Sequence, residues 1–493
     1  MKNKIIYIVS LLALLPFTSC RKGYLDKKPP SALLLTDAIK SEGDLSVALN
    51  GVYASLRSTN LYGRTLPVKG DLMSDNAFVT TSNSGRYISM NNFVFTSTDA
   101  DVAGVWGSAY TSIKNANTVI NATGLSPTAN VNQYVGEALA IRALMLFELV
   151  RNFSKPYTVD QTAPGVPVIT TFDQNTKASR GTVKQVYTQI INDLEQAYSL
   201  MTIYRGTGYF SKYAARALEA RVYQNMGDWA NAKTVALDVV NNSGWVLLSA
   251  ASYVNPSGSL GTGGANATYS PGGYWANATT QTSSSKNETF FEVVSDLLTN
   301  NGFDQIGFIY LQVGGGYGDI LGNVDIYNLY SATDVRRGLM PSVPAGYRSG
   351  QAGTTYLNYK YPNPAGSGDH DDTKIVRLSD VILILSEAYA RTADETNAKL
   401  KLNQVAIARD PSFTGYTSTG AQLITDILNE RRKELAFEGN RFWDLTRLQM
   451  SWTKIKNQNP LTTVSVAPGM PPLLFPIPQG ELDTNPNMTP NPF

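Results

Sequence analysis

The sequence predicts a mainly α-helical protein, a tetratricopeptide-like helical-repeat scaffold with long irregular loop regions and a few short strands. Three observations carry that reading. Apolar residues recur at helical spacing along several segments. One segment has the small-residue spacing of a helical repeat. Two stretches, about 60–105 and 250–370, lose that period and fill with Gly, Ser, Thr, Asn and Tyr. At 493 residues and 43% hydrophobic content, the chain can bury one or two substantial cores.

The chain opens with "MKNKIIYIVSLLALLPFTSC": two lysines, an apolar run from Ile5 to Leu15, then small residues before Cys20. The run is too short to span a bilayer and reads as a signal peptide over 1–19. Cys20 is the only cysteine, so an intramolecular disulfide is excluded. A single cysteine at the end of a signal peptide is expected to be acylated and to anchor the mature chain, residues 20–493, in a membrane.

Helices follow in order. Leu45, Leu49, Val52, Tyr53 and Leu56 form one stripe, and Leu139, Arg142, Ala143, Leu146 and Val150 a second. Val183, Tyr187, Ile190, Leu194 and Met201 form a third, with Thr182 and Gln185 as a capping box at its start. In "EARVYQNMGDWANAKTVALDVV", Ala220, Tyr223, Gly227, Ala232, Ala236 and Val239 match the positions where a tetratricopeptide repeat needs small or aromatic side chains. "SEAYARTADETNAKLKLNQV" looks like a second pair, and such pairs need neighbours to bury their faces. Between them "ETFFEVV" reads as a strand.

The densest charge lies in "NERRKELAFEGNRFWDL", 429–445. Arg431 falls on an otherwise apolar stripe with Ile424, Ile427, Leu428 and Leu435, as Arg142 does in its own helix. A buried guanidinium requires an acid or carbonyl partner. Glu434, Glu438 or acids on a facing helix are available. The four residues Arg142, Arg431, Glu434 and Glu438 are therefore read as a structural ion network, in preference to Glu434 and Glu438 as an acid–base pair.

Composition excludes several functions. The net charge of +2 leaves no basic footprint for nucleic acid. One histidine and one cysteine leave no material for His-rich metal sites, and no metal or cofactor is expected. "GDHDDTK", 368–374, could be a Ca²⁺ loop, but its spacing matches no EF-hand and a solvated loop is the preferred reading. "GGGYGD" lacks the lysine of a phosphate-binding loop.

A family resemblance enters at these residues. "ILNERRKELAFEGNRFWDLTR" resembles the E-R-R-x-E-L-x-x-E-G-x-R-x-x-D-L-x-R signature of the SusD/RagB family. "GEALAIRALMLFELVRNF", "RGTVKQVYTQIINDLEQA", "VRLSDVILILSEAYA", "CRKGYLDKKPPS" and "LLFPIPQGELDTNP" resemble further family segments, in the expected order. The chain departs from the pattern at its end, "TPNPF", and at Ala406, where an arginine is usual. The resemblance implies a non-catalytic outer-membrane lipoprotein facing the cell exterior. Such a protein captures glycans and delivers them to a SusC-type TonB-dependent channel. Peptide capture and a helical-repeat envelope scaffold are the alternatives.

Capture of sugars without catalysis needs flat apolar ring faces and polar groups for hydroxyls. The loop-region aromatics Tyr87, Tyr274, Trp275 and Tyr317 are the candidate platforms, with Asn83 and Arg86 as polar partners. For each aromatic the competing role is anchoring a loop. Trp106 and Trp443 lie on helical patterns and read as core.

Overall fold

The computed structural model describes residues 39–491, except 172–175, 261–267, 277–286, 297, 348–350, 352, 363, 366–367, 370 and 459–460. The leader segment, Cys20 and His370 lie outside the described residues.

Helix α1 (Glu42–Leu56) starts at a capping box between Ser41 and Asp44 and buries Leu45, Leu49, Val52, Tyr53 and Leu56. A short α2 (Thr65–Leu72) is buried on every side. Then come α3 (Ala100–Ile120), α4 (Ala129–Phe153), α5 (Val183–Leu200), α6 (Lys212–Met226), α7 (Trp229–Asn242), α8 (Leu378–Arg391), α9 (Glu395–Arg409), α10 (Gly420–Leu435) and α11 (Arg441–Arg447). From α3 to α9 each helix packs on the next, so the scaffold is one continuous stack. Helix α1 closes one end against α3 and α4, and α10 the other against α8 and α9. Every residue of α4 from Gly136 on is buried, as a helix that is apolar on most sides must be.

The repeat spacing folds as its residues require. Ala220, Ala232, Ala236 and Val239 are fully buried between α6 and α7. Gly227 turns the chain with φ +72°, a left-handed value that glycine adopts without strain. Thr182 and Gln185 form the capping box of α5.

The two loop regions hold more regular structure than their sequence period suggests. Strand β1 (Ala77–Val79) from the first pairs antiparallel with β3 (Ile320–Gly322) from the second, in the register Ala77↔Gly322 to Val79↔Ile320. The sheet continues through β5 (Thr355–Tyr356) to β4 (Ser342–Val343), in the order β1-β3-β5-β4. "ETFFEVV" supplies β2 (Thr289–Val293), which pairs with β6 (Thr373–Arg377) just before α8. Strands β7 (Trp452–Gln458) and β8 (Leu461–Val466) form a hairpin after α11. Among the described residues no helix is long and apolar enough to cross a membrane.

Buried ion pairs tie the stack together. Arg142 forms a bidentate pair with Asp193 of α5 at 2.8 and 2.7 Å and donates to Asn117 of α3 at 2.8 Å. Arg431 pairs with neither Glu434 nor Glu438. Its partners are acids on facing helices, Asp380 of α8 at 2.8 Å and Asp444 of α11 at 3.3 Å. Asp380 also takes Arg221 of α6 at 2.7 Å, so one carboxylate joins three helices. Glu434 serves a second cluster: Arg377 at 2.9 Å, Arg336 at 3.1 Å and Arg409 at 3.1 Å. Burial works against its charge, but those three guanidinium groups hold its carboxyl well below the usual range. Glu438 takes Lys360 at 2.5 Å and Arg377 at 2.7 Å.

Candidate functional site

The end of β1 leads into a short turn that its own side chains hold. Pairing with the second loop region runs one residue past the strand, through Thr80 N–H to Asp319 carbonyl at 2.8 Å. Asn83 then caps the turn: its amide donates to the Thr80 carbonyl at 2.6 Å, and its oxygen accepts from Gly85 N–H at 2.9 Å. Asp319 pins the same turn by accepting from the Ser84 amide at 3.0 Å and from the Ser84 hydroxyl. Gly85 sits at φ +91° with open space around it. The turn delivers Arg86 to the surface.

Arg86 lies 3.9 Å above the centroid of the Tyr317 ring. It also donates to the Tyr317 hydroxyl at 3.1 Å, to Ser84 Oγ at 2.9 Å and to Asp304 at 3.4 Å. Asp304 takes Arg64 from the other side at 2.7 Å. Burial is the largest single influence and raises this carboxyl, but Arg64 and Arg86 together outweigh it and keep the group below its ordinary range. Beside Asp304, Phe303 packs at a tilt against Phe308 and leaves half of its surface in solvent. Residues separated by more than 200 positions thus meet on one half-exposed face: Asn83, Ser84 and Arg86 from the first loop region, Phe303, Asp304 and Tyr317 from the second. A guanidinium beside a carboxylate offers the donors and acceptors that vicinal hydroxyls need, and the phenylalanine offers an apolar ring face.

The other three aromatics expected to serve as platforms are interior. Tyr87 is buried and its hydroxyl is held by Arg64 at 2.8 Å and Thr65 at 2.9 Å, so it anchors the turn rather than facing a ligand. Tyr274 and Trp275 pack edge-on against each other, and on Tyr253 the first stacks face to face and the second edge-on. Trp275 is 2% exposed, and Lys360 and Lys374 lie over its ring at 4.7 and 5.1 Å. The physical reason is local: this stretch lies directly over the buried charges of β6, and the rings cover their cations. Trp106 and Trp443 are core residues. In the described part of "GDHDDTK", Asp371 and Asp372 are buried rather than solvated. Among the described residues no group of three or more His, Cys, Asp or Glu is placed to hold a metal.

Sequence reasoning missed Phe303 and Asp304. Their signal was present in "NNGFDQI", an aromatic between a glycine and an acid in a polar loop. It also missed Arg336, Arg377 and Arg409, the three guanidinium groups around Glu434.

Comparison with known proteins gives one consistent result. Residues 23–224 match the family model described as "SusD-like_3: Starch-binding associating with outer membrane". The SusD-like protein P2 of Formosa agariphila is 26% identical, over 99% of this chain and 99% of its own length. A SusD superfamily protein from Bacteroides thetaiotaomicron superposes with a TM-score of 0.78 at 26% identity, over 92% of this chain and 100% of that one. A SusD superfamily protein from Bacteroides vulgatus gives 0.79 at 24% identity, over 92% and 99%. In sequence and in fold the chain is thus similar to SusD-like proteins along nearly all of its length, and residues 23–224 match a SusD-like family model described as associating with the outer membrane.

Proposed function

We propose that the protein captures glycan on the face formed by Arg86, Tyr317, Asp304 and Phe303 and passes it to a SusC-type TonB-dependent channel. In this reading residues 1–19 are removed, Cys20 is acylated, and residues 20–493 form a single domain held on the outer leaflet with the face outward. The observation that carries it is the half-exposed Phe303 ring beside an Arg86–Asp304 pair. The starch-binding description of the matching family model supports it. Binding alone suffices: a hydroxylated ring stacks on Phe303, and its hydroxyls exchange water for the guanidinium and carboxylate. The phenol of Tyr317 positions Arg86.

The test is affinity electrophoresis of the purified protein through gels holding a panel of polysaccharides. One glycan is expected to retard the protein, with no products formed. Phe303→Ala and Arg86→Ala are each expected to weaken that retention about tenfold or more. Retention that survives both substitutions sinks the assignment of the face.

Peptide capture is the second reading, and one observation favours it. Burial of Tyr87, Tyr274 and Trp275 leaves the face with few rings and a polar rim. Retention by no glycan, together with saturable binding of a peptide mixture that Arg86→Ala abolishes, decides for it.

A further inference from the structure

The segment that carries Phe303 and Asp304 also lines, through Asp296 and Thr299, a cavity of about 590 Å³. That volume suits a small organic ligand. The remaining wall includes the rings of Tyr53, Tyr209 and Phe291, together with Glu292 and Asp372. The proposed glycan face uses none of it.

Two buried carboxyl groups share this wall. Glu292 Oε1 takes the Thr207 hydroxyl at 2.5 Å, and its other oxygen is 3.8 Å from Lys374 Nζ. Asp372 is 6% exposed, and its Oδ1 accepts from the Ser295 amide at 2.8 Å. That is its one hydrogen bond among the described residues, and the residue lines the cavity, so Oδ2 has no hydrogen-bond partner among them. Lys374 is shared between the two acids, and its ammonium also lies over the rings of Tyr274 at 4.9 Å and Trp275 at 5.1 Å. The other cations on the wall are committed. Arg205 is taken by both oxygens of Glu137 at 3.0 and 2.9 Å, and Arg57 is offset by Asp296. Burial, then Glu292 and Asp296, push the Asp372 carboxyl well above its ordinary range, and Lys374 and the Ser295 amide offset this only in part. A buried carboxyl with no cation of its own, on the wall of a cavity, is a poor structural element and a good acceptor for a charged donor.

We propose that this cavity binds a primary ammonium group, with Asp372 Oδ2 as the principal acceptor and Glu292 as the second negative charge. The ring-lined walls favour an amino sugar as its source, the aliphatic amine of a peptide being the other. The inference does not rest on the Arg86 face, so the two binding events are separately readable.

The experiment is calorimetric titration of the full chain in detergent with glucosamine hydrochloride, N-acetylglucosamine, glucose and lysine amide. Glucosamine is expected to saturate a single site while N-acetylglucosamine and glucose give no heat. Asp372→Asn and Glu292→Gln, both isosteric, are each expected to weaken that binding about tenfold or more. Arg86→Ala is expected to leave it unchanged. Saturation by lysine amide in place of glucosamine keeps the ammonium and assigns it to a peptide. Equal binding of N-acetylglucosamine overturns the proposal, as does silence from both amines. Loss of amine binding in calcium chloride overturns it as well, because the cavity is then an inorganic cation site. Should Asp372→Asn not fold, Glu292→Gln carries the same test, and binding unaltered in a folded variant places the amine elsewhere.

Discussion

Trp275 and Phe303 show how differently two aromatic residues in the same loop region are used. Trp275 is enclosed by Tyr253, Tyr274 and three cationic side chains, whereas half of Phe303 is in water. Trp275→Ala is therefore expected to lower stability by about 3–5 kcal/mol, read by urea unfolding, while the folded fraction keeps its ligand retention. Phe303→Ala is expected to change stability by about 0.5 kcal/mol or less and to lose retention. A sequence reading that looks for tyrosine and tryptophan selects Trp275, because those rings carry the polar edge that suits sugars. Whether a ring points in or out depends on what lies beneath it. Here the cations under Trp275 come from Lys360, Lys374 and Arg377, about 85 to 100 positions further along, so no local pattern announces them. Arg86 was legible because a lone arginine in a Ser/Asn/Gly turn has no neighbour to bury it.

At the level of elements, backbone proximity decides which positions tolerate change. Helix α2 runs so close to the turn between α10 and α11 that a Cβ on Gly70 would stand 2.0 Å from the Gly439 carbonyl oxygen. Gly70→Ala is expected to cost about 3 kcal/mol or more, since backbone on both sides would have to move. Gly51, on the exposed side of α1, has nothing within 4 Å of its built Cβ. Gly51→Ala is expected to gain about 0.5–1 kcal/mol from helix propensity alone. Thermal melts of the two variants against the parent check both signs. The helices themselves were readable, because stripe spacing and the Thr182–Gln185 cap are local. The partners of Arg431 were not. Its stripe required an acid, and the choice among Glu434, Glu438, Asp380 and Asp444 depends on how α8 and α11 lie against α10.

For the whole molecule, buried charge sets the response to acid. Glu387 of α8 takes Arg447 at 2.7 Å and Arg391 at 3.0 Å. Burial opposes its ionisation, but those guanidinium groups pull its carboxyl down to about 2 from 4.5. A depressed carboxyl stabilises the fold above its unfolded value, and that contribution is lost as pH falls through its folded value. Glu387→Gln is therefore expected to cost about 3–5 kcal/mol at neutral pH, and its deficit against the parent is expected to shrink between about pH 4.5 and 2. Equal acid profiles for the two proteins would remove Glu387 from this role. The sheet has a consequence for the order in which the chain assembles. Strand β1 must wait for β3: at the centre of the register Phe78 pairs with Leu321, 243 positions later. Closing so long a loop brings its entropy cost before any reward, which makes this pairing a late step. The helical stack can form from neighbours, but the ligand face comes into being only after the chain has returned on itself. A chain interrupted before residue 303 would keep the helices up to α7 and have no face at all, so ligand retention reports completed folding in a way that helical content does not.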